Sequence, residues 1–433
     1  MSMKIGFMVM IGTETTDEYK TKLFLATAAF PYGGGEKNFI LPELEYLNKY
    51  FDITIITQIN KDSSEEIMEF TEKYKGIKIL EYSSTVKIYE YLEYVLSFLI
   101  YTDAREEIRQ ILRKRKNILS CIKESLSFYI SARKYADFLK KNICMFENGI
   151  YYSYWYTHLC YGMVLCKKYL PVLKIMTRTH GVDLYNERYR GNRQPFKRQM
   201  DQVVNRVIFA SEYGRQYYIT NFALSSTDKK YVLCRLGSLK EEPCEVQKKR
   251  KEFVLVSCSY VAPLKRVELI IRALALVEEI EIHWIHFGNG NKFDEIRRMA
   301  KENLDNKENI TYSLPGYIEN TEIRRFYREN FVDCFITTTM TEGGCPMSIQ
   351  EAMLFGIPII ATSVGGVTEM IDGNGVLLEN NPTLNEICEA IKKIYFLGDL
   401  EQAYMRHKSR EIWDRMFDIE QNAEGIITVL KNM

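Results

Sequence analysis

The stretch from Thr337 to Glu369, TTTMTEGGCPMSIQEAMLFGIPIIATSVGGVTE, constrains the fold of this chain more tightly than any other. It follows a short apolar run ending in Phe335-Ile336, which reads as a buried parallel strand. Glu342-Gly343-Gly344-Cys345-Pro346 has loop chemistry, with Pro346 where a first helical turn tolerates it. Ser348 to Phe355 is then predicted helical, stopped by Gly356 and Pro358. Ile357 to Ala361 is the next buried strand, and Gly365-Gly366 let a backbone approach closely before a further helix opens at Glu369.

Two acidic residues bracket the first of these helices, Glu342 in the loop at a strand's carboxyl end and Glu351 about two turns into the helix. Helix N-termini at strand ends bind anions, because unpaired N–H groups and the helix dipole favour negative charge there. Carboxylates beside such a site are poorly placed to hold phosphate and well placed to accept hydrogen bonds from sugar and ribose hydroxyls. A nucleotide-sugar offers both features. An ordinary strand–helix–strand unit with solvated carboxylates is the bland alternative.

The stretch resembles the signature of the family-4 retaining glycosyltransferases with the GT-B fold, Glu-Gly-x-Pro-x-x-x-x-Glu-Ala. That resemblance implies that Glu342 contacts the transferred sugar and Glu351 the ribose, with Gly34, Gly35, Gly288, Gly316 and Ser348 around the donor. Glu342 and Glu351 are nine residues apart, one more than in the family pattern. The doubled Gly343-Gly344 reads as a loop extension that leaves Glu351 fixed on its helix.

A chain of 433 residues suits two domains. A net charge of +1 gives no bulk electrostatic argument for nucleic acid. Ten Cys are scattered with no Cys-x-x-Cys pair, which suggests reduced thiols rather than a disulfide frame or zinc site. His283 and His286, three apart in a predicted strand, point to opposite faces and cannot share an ion. Asp-x-Asp, the usual motif of the metal-dependent GT-A transferases, does not occur. No metal or other cofactor is therefore expected. No stretch has the roughly 18 apolar residues of a spanning helix, and the start lacks a signal-peptide pattern. The expected location is cytoplasmic, either free or peripheral at the inner membrane face.

In the first half, Met3 to Met10 offers a strand, but Leu23 to Ala28 is the better first strand of a βαβ unit. It leads into Gly33-Gly34-Gly35-Glu36, a helix through Leu41, Leu44 and Leu47, and the strand Ile53 to Thr57. By itself the glycine turn is as consistent with a tight turn as with a diphosphate loop. Residues 86–141 read as mainly helical, with Tyr89, Leu92, Val95, Leu96 and Leu99 on one apolar face. The basic stretches Arg105–Lys116 and Ala132–Lys141 suit either a solvated face or an anionic membrane surface. Tyr151 to Tyr156 reads as half-buried aromatic core leading into a helix.

Val172 to Arg178 is a strand ending in Arg178-Thr179-His180-Gly181-Val182-Asp183-Leu184-Tyr185. A His at a strand's carboxyl end points into the cleft of an α/β sheet. The segment resembles the Arg-x-His-Gly-x-Asp-Leu-Tyr run of family-4 transferases that build bacterial surface polysaccharides. The resemblance implies that His180 lines the transferred sugar's site. Asp183 and Arg188 are candidate acceptor contacts, and Arg188 to Arg198 is equally consistent with a solvated loop. Val207 to Ala210 and Tyr231 to Leu236 are further strands, and 237–252, charged and aperiodic, is the linker.

The second half opens with the strand Phe253 to Ser257 and a helix bearing Leu269, Ile270, Ala273, Leu274 and Val277 on one stripe. Lys265 and Arg266 stand at its start, against the dipole preference, so a negative ligand nearby would explain them. The family holds the donor diphosphate with an Arg and a Lys five apart. Lys265 matches the Lys, Tyr260 occupies the Arg position, and Arg266 is the substitute. Strands Ile282 to Phe287 and Ile310 to Leu314 lead into turns at Gly288 and Gly316.

The chain is thus predicted as α/β of the GT-B type, two doubly wound Rossmann-like domains facing a cleft. The division is 1–236 for the acceptor domain, 237–252 for the linker, 253–412 for the nucleotide-sugar domain, and 413–433 for a helix crossing back. The resemblance implies a metal-independent retaining transferase using a nucleotide diphosphate sugar, UDP-linked, and a saccharide or lipid-linked acceptor. His180, Lys265 and Glu342 are its candidate catalytic residues. The rivals are a sugar-nucleotide epimerase of related fold and a catalytically silent partner subunit.

Overall fold

The computed structural model describes residues 20–32, 35–60, 64–114, 116–189, 191–224, 229–242 and 251–433. The candidate strand Met3 to Met10, the glycines Gly33 and Gly34, Arg190, and residues 243–250 of the linker lie outside them. Two all-parallel sheets carry the fold. The first contains β1 (Thr21–Ala26), β2 (Phe51–Gln58), β3 (Lys78–Tyr82), β4 (Gly149–Ser153), β5 (Lys174–Thr179), β6 (Arg206–Phe209) and β7 (Tyr231–Leu233). Its spatial order is β3-β2-β1-β4-β5-β6-β7. The second contains β8 (Phe253–Cys258), β9 (Ile282–Phe287), β10 (Ile310–Gly316), β11 (Cys334–Thr337), β12 (Ile359–Thr362) and β13 (Gly375–Leu378), in the order β10-β9-β8-β11-β12-β13. Each order reverses once, between β1 and β4 and between β8 and β11, and such reversals open a crevice at the strands' carboxyl ends.

Central strands covered by helices on both faces need continuous apolar runs. β8 (FVLVSC) meets this with aliphatics, whereas β4 (GIYYS) meets it with tyrosines, every residue of it buried. That composition hides β4 as a strand, and Tyr151 and Tyr152 of the aromatic run, read from the sequence as half-buried, are fully buried at the centre of the sheet. Tyr151 is satisfied there by Tyr135 Oη at 2.9 Å and the Leu159 carbonyl at 3.1 Å. β3 and β13, both short, also go unread in the sequence.

The crossover from β3 to β4 is not a single helix but three, Ile88–Ile100, Thr102–Lys114 and Ile118–Lys141. The long third helix buries Tyr129, Ala132, Tyr135, Ala136 and Leu139 against the sheet's own helices. One face of it is buried along its length, and on the other Lys134 pairs with Glu90 and Lys140 with Asp137.

The two domains are joined by two chain crossings lying side by side. Ser238 N–H donates to the Phe417 carbonyl at 2.9 Å, and Ile419 N–H donates back to the Ser238 carbonyl at 3.2 Å. Trp413 Nε1 donates to Ser238 Oγ at 3.1 Å and locks the pair. The helix Asp399–Met416 stays on the second domain, where Ile412 and Trp413 join its core. The crossing element is therefore the helix Ile419–Lys431 rather than all of 413–433, because Ile426, Ile427 and Leu430 are buried in the first domain's core. Truncating Leu430, 1% exposed there, removes that anchor. Leu430→Ala should cost about 2–5 kcal/mol of first-domain stability, read as a lowered denaturation midpoint in urea.

Candidate active site

β5 ends at His180-Gly181 and β11 leads to Glu342-Gly343, and these two turns touch. A Cβ on Gly343 would lie 2.2 Å from the Gly181 nitrogen and 2.7 Å from the His180 carbonyl carbon. The two domains meet here backbone against backbone, which only glycine permits. Tyr185 Oη donates to the Gly343 carbonyl at 2.9 Å, and Gly344 packs on Ala210. The doubled glycine of the sequence thus forms the seam between the domains. Glu369 bolts it from the second domain: Oε1 accepts from Tyr213 N–H at 2.8 Å, and Oε2 pairs with Arg235 at 2.5 Å. Tyr213 lies in the first turn of the helix Glu212–Asn221, where a carboxylate is favoured by the exposed N–H groups.

On the first-domain side, His180 is held rather than loose. Its ring lies 4.3 Å from Trp155, 5.4 Å from Tyr154 and 5.7 Å from Phe39, centroid to centroid. Nε2 is 3.1 Å from the Tyr154 carbonyl, an oxygen that only accepts, so Nε2 carries the proton and Nδ1 remains an acceptor. Burial, followed by the nearby Arg178 charge, pushes the imidazole below its ordinary pKa against the opposing pull of Asp183, keeping it neutral at pH 7.

Asp183 does not face the cleft as an acceptor contact. It is buried, and its oxygens accept from the N–H groups of His180 at 2.6 Å and Tyr156 at 2.7 Å, so it shapes the His180 turn. Glu36 does the same for the loop after β1: it accepts from Ala28, Ala29 and Phe30 N–H groups and from Trp155 Nε1. Sequence reasoning passed over Glu36, although an acidic residue at the start of a helix after glycines was the available signal. Gly35 is exposed with open space where a Cβ would be, and Gly34 lies outside the described residues. Arg188 comes to the seam: its guanidinium is 3.4 Å from where a Gly181 Cβ would stand, and its Nε is buried without a partner.

On the second-domain side, Lys265 donates to Glu342 in a partly buried ion pair at the mouth of the crevice. Arg266 is not beside it. A left-handed backbone at Arg266, φ 50°, turns the side chain away, where it donates to the carbonyls of Thr338, Thr339 and Asn380 and to Asn381 Oδ1. The expectation that Arg266 stands in for the missing diphosphate Arg is therefore corrected, since this guanidinium is consumed in bracing the loop after β11. Tyr260 itself is exposed.

Glu351 sits on the helix Met347–Leu354 and is buried, with Asn320 Nδ2 donating to Oε1 at 2.6 Å. Burial pushes its carboxyl up to about 7, against the opposing Asn320 hydrogen bond and Arg324 charge. Ser348 lies in the first turn of the same helix, partly exposed. Gly288, φ 138°, lets β9 turn against the loop after β8, where a Cβ would strike the Ser259 carbonyl at 1.9 Å. Gly288 N–H donates to the Gly316 carbonyl at 2.8 Å, which brings both turns to the same wall as Glu351's neighbour Asn320.

Among the described residues, no group of three or more His, Cys, Asp or Glu is placed to hold a metal ion. The turn of the neutral His180 and the Lys265–Glu342 pair therefore meet where two parallel sheets come together, and Glu351 stands on the helix that follows the seam, a setting for a polar, anionic ligand with hydroxyl groups.

This architecture is the GT-B fold. Residues 240–411 match the family described as Glycosyl transferases group 1. The O-antigen biosynthesis glycosyltransferase WbnH of Escherichia coli is 30% identical over 131 residues, 30% of this chain and 34% of that protein. A human phosphatidylinositol N-acetylglucosaminyltransferase component is 31% identical over 83 residues, 19% of this chain and 16% of that protein. The chain thus spans about a third or less of the length of these curated relatives. Among solved structures, Anabaena Alr3699/HepE in complex with UDP and glucose superposes with a TM-score of 0.67 at 14% identity, covering 95% of this chain and 100% of that one. The apo lipopolysaccharide outer core galactosyltransferase WaaB gives 0.67 at 14% identity, over 94% and 99%.

A ribose hydroxyl donates to a carboxylate, so ligand affinity should rise as Glu351 loses its proton. Nucleoside diphosphate affinity should increase severalfold between about pH 6 and about pH 8, around the carboxyl's value of about 7. Glu351→Gln should flatten that profile in calorimetric titration. Gly343→Ala should force the seam apart, and small-angle scattering should report a larger radius of gyration with both domains still folded.

Proposed function

We propose that the chain is a retaining, metal-independent glycosyltransferase that moves a sugar from a nucleotide diphosphate sugar, UDP-linked, to a saccharide or lipid-linked saccharide in polysaccharide biosynthesis. The observation that carries this reading is the seam itself, where the His180-Gly181 turn of one domain touches the Glu342-Gly343 turn of the other and Glu342 pairs with Lys265. The named roles of the O-antigen and galactosyltransferase relatives, and the UDP and glucose in the Alr3699/HepE complex, support the same class.

In this mechanism Glu351 accepts from the ribose hydroxyls. Lys265 meets the negative charge that grows on the diphosphate as the anomeric C–O bond breaks, a task a metal performs elsewhere. The turn at Gly35, with open space where a Cβ would stand, leaves room for main-chain approach to the donor, and Gly288 shapes the wall beside it. His180 Nδ1 accepts from a sugar hydroxyl, and Glu342, released from Lys265 when the donor enters, takes another. The acceptor oxygen bonds to the anomeric carbon on the face the diphosphate leaves, and its proton passes to the departing phosphate oxygen. The configuration is retained. Arg188, at the seam on the first domain, meets the acceptor.

The consumed Arg266 and the exposed Tyr260 favour a second reading, a GT-B partner protein that binds donor without turning it over. Donor hydrolysis separates the two: the purified protein, treated with chelator, should release nucleoside diphosphate slowly from its cognate nucleotide-sugar. Binding without release would support the silent partner, and activity rescued only by magnesium or manganese would overturn metal independence. Lys265→Ala should lower kcat on the order of a hundredfold. Glu351→Ala should raise KM more than it lowers kcat. Glu342→Ala should change turnover while leaving nucleoside diphosphate affinity nearly intact; loss of affinity equal to that of Glu351→Ala would remove Glu342 from the sugar subsite.

A further inference from the structure

The helix Ile88–Ile100 opens the three-helix crossover of the first domain and is fixed by one face only. Tyr94 and Phe98 are buried on that face, with Phe98 against Tyr129 at 5.4 Å and Tyr94 Oη donating to Asp137 at 2.7 Å. Glu90 on the same side pairs with Lys134 at 2.8 Å. The opposite face should be polar in a protein surrounded by water. It carries Ile88 (83% exposed), Leu92 (59%), Leu96 (64%), Leu99 (59%) and Ile100 (75%), together with Tyr89. At 100° per residue these six fall within one arc, broken at its edge by Glu93. The helix is about 20 Å long at ~1.5 Å per residue, so this is a continuous apolar ridge and not a scatter of single residues.

What borders the ridge decides what it meets. Lys87 stands at its start, and the next helix, Thr102–Lys114, begins after one residue, Tyr101. That helix buries Ala104, Glu107 and Ile111 and turns Arg105, Arg109 and Arg113 outward, with Glu106 as the one acid among them, 3.6 Å from Arg109 in an exposed ion pair that leaves Arg109 at the surface. An apolar helical face flanked by cations is the pattern of a helix lying in the plane of an anionic bilayer. A second copy is disfavoured by symmetry, because a two-fold axis through the ridge sets the Lys87 end of one copy against the Arg105 end of the other. No helix among the described residues is long and apolar enough to cross a membrane, so the contact is with the surface.

We infer that the Ile88–Ile100 ridge with the Arg105–Arg113 strip docks this protein on an anionic phospholipid bilayer. The basic stretch Ala132–Lys141 contributes little, since Lys134 is paired internally and the Arg133 guanidinium lies against the Tyr94 ring. The docking face is tied to the cleft: Glu107, on the arginine-bearing helix, pairs with Arg193 at 2.5 Å, and Gly191 N–H donates to Glu124 at 3.1 Å. The loop that begins at His180 and carries Arg188 therefore rides on the same rigid layer as the ridge.

The test is flotation of the full-length protein with phosphatidylcholine vesicles, with and without phosphatidylglycerol. Wild-type protein should float with the anionic vesicles and less so as salt rises. Leu92→Glu/Leu96→Glu, both at exposed positions, should cut the vesicle-bound fraction about tenfold while leaving the melting midpoint unchanged. Arg105→Glu/Arg109→Glu should abolish the preference for phosphatidylglycerol. The inference is overturned if wild-type protein stays unbound with both vesicles, or if the leucine variant floats as wild type does. It is equally overturned, in favour of a second copy, if wild-type protein runs as a dimer by light scattering and the leucine variant runs as a monomer.

Discussion

Everything at the centre of this molecule depends on one close approach, that of Gly181 to Gly343. Two sheets that each present loops at their carboxyl ends have no inherent reason to meet, and side chains at the contact would hold them apart. Backbone touching backbone places the residue before each glycine, His180 on one side and Glu342 on the other, at the same crevice. The contact is backbone against backbone and is flanked by polar bolts, Tyr185 to the Gly343 carbonyl and Glu369 to Arg235 and Tyr213. Bolts of this kind are individually modest, roughly 1–3 kcal/mol each. The paired crossings at Ser238 and Asp418 join the two domains beside this contact.

The second-domain half of the site was legible in the sequence because its geometry is local. Glu351 stands a fixed distance into a helix bounded by Pro346 and Gly356, and the structure finds it on such a helix. Lys265 and Glu342 are far apart in sequence yet both lie at the carboxyl ends of adjacent strands, β8 and β11, and topology brings them together. Arg266 shows the limit of such reasoning. Being next to Lys265 says nothing of direction, and a left-handed backbone at that residue sends its guanidinium to the back of the loop. Asp183 shows the same limit: its carboxylate is used by its own turn, an outcome that depends on Tyr156 arriving from another strand.

The first domain was harder to read for a compositional reason. Tyrosine fills positions that Val or Ile would fill in a more familiar strand, so β4 looks like an aromatic loop until its neighbours are known. The three-helix crossover was legible as helical, but its orientation was not. Periodicity alone marked Tyr89, Leu92, Val95, Leu96 and Leu99 as one apolar face, whereas Tyr94 and Phe98 are the buried pair. A helix with two apolar faces has no preferred side until a partner is in place.

The central claim is that one ligand site is assembled from both domains across the glycine seam. Hydrogen exchange of the backbone amides, measured with and without uridine diphosphate, tests it most directly. Residues 316–320 and 342–351 of the second domain should gain protection, and residues 180–185 of the first should gain it with them, because ligand binding holds the seam shut. Protection confined to the second domain, with 180–185 exchanging as in the free protein, would contradict the account.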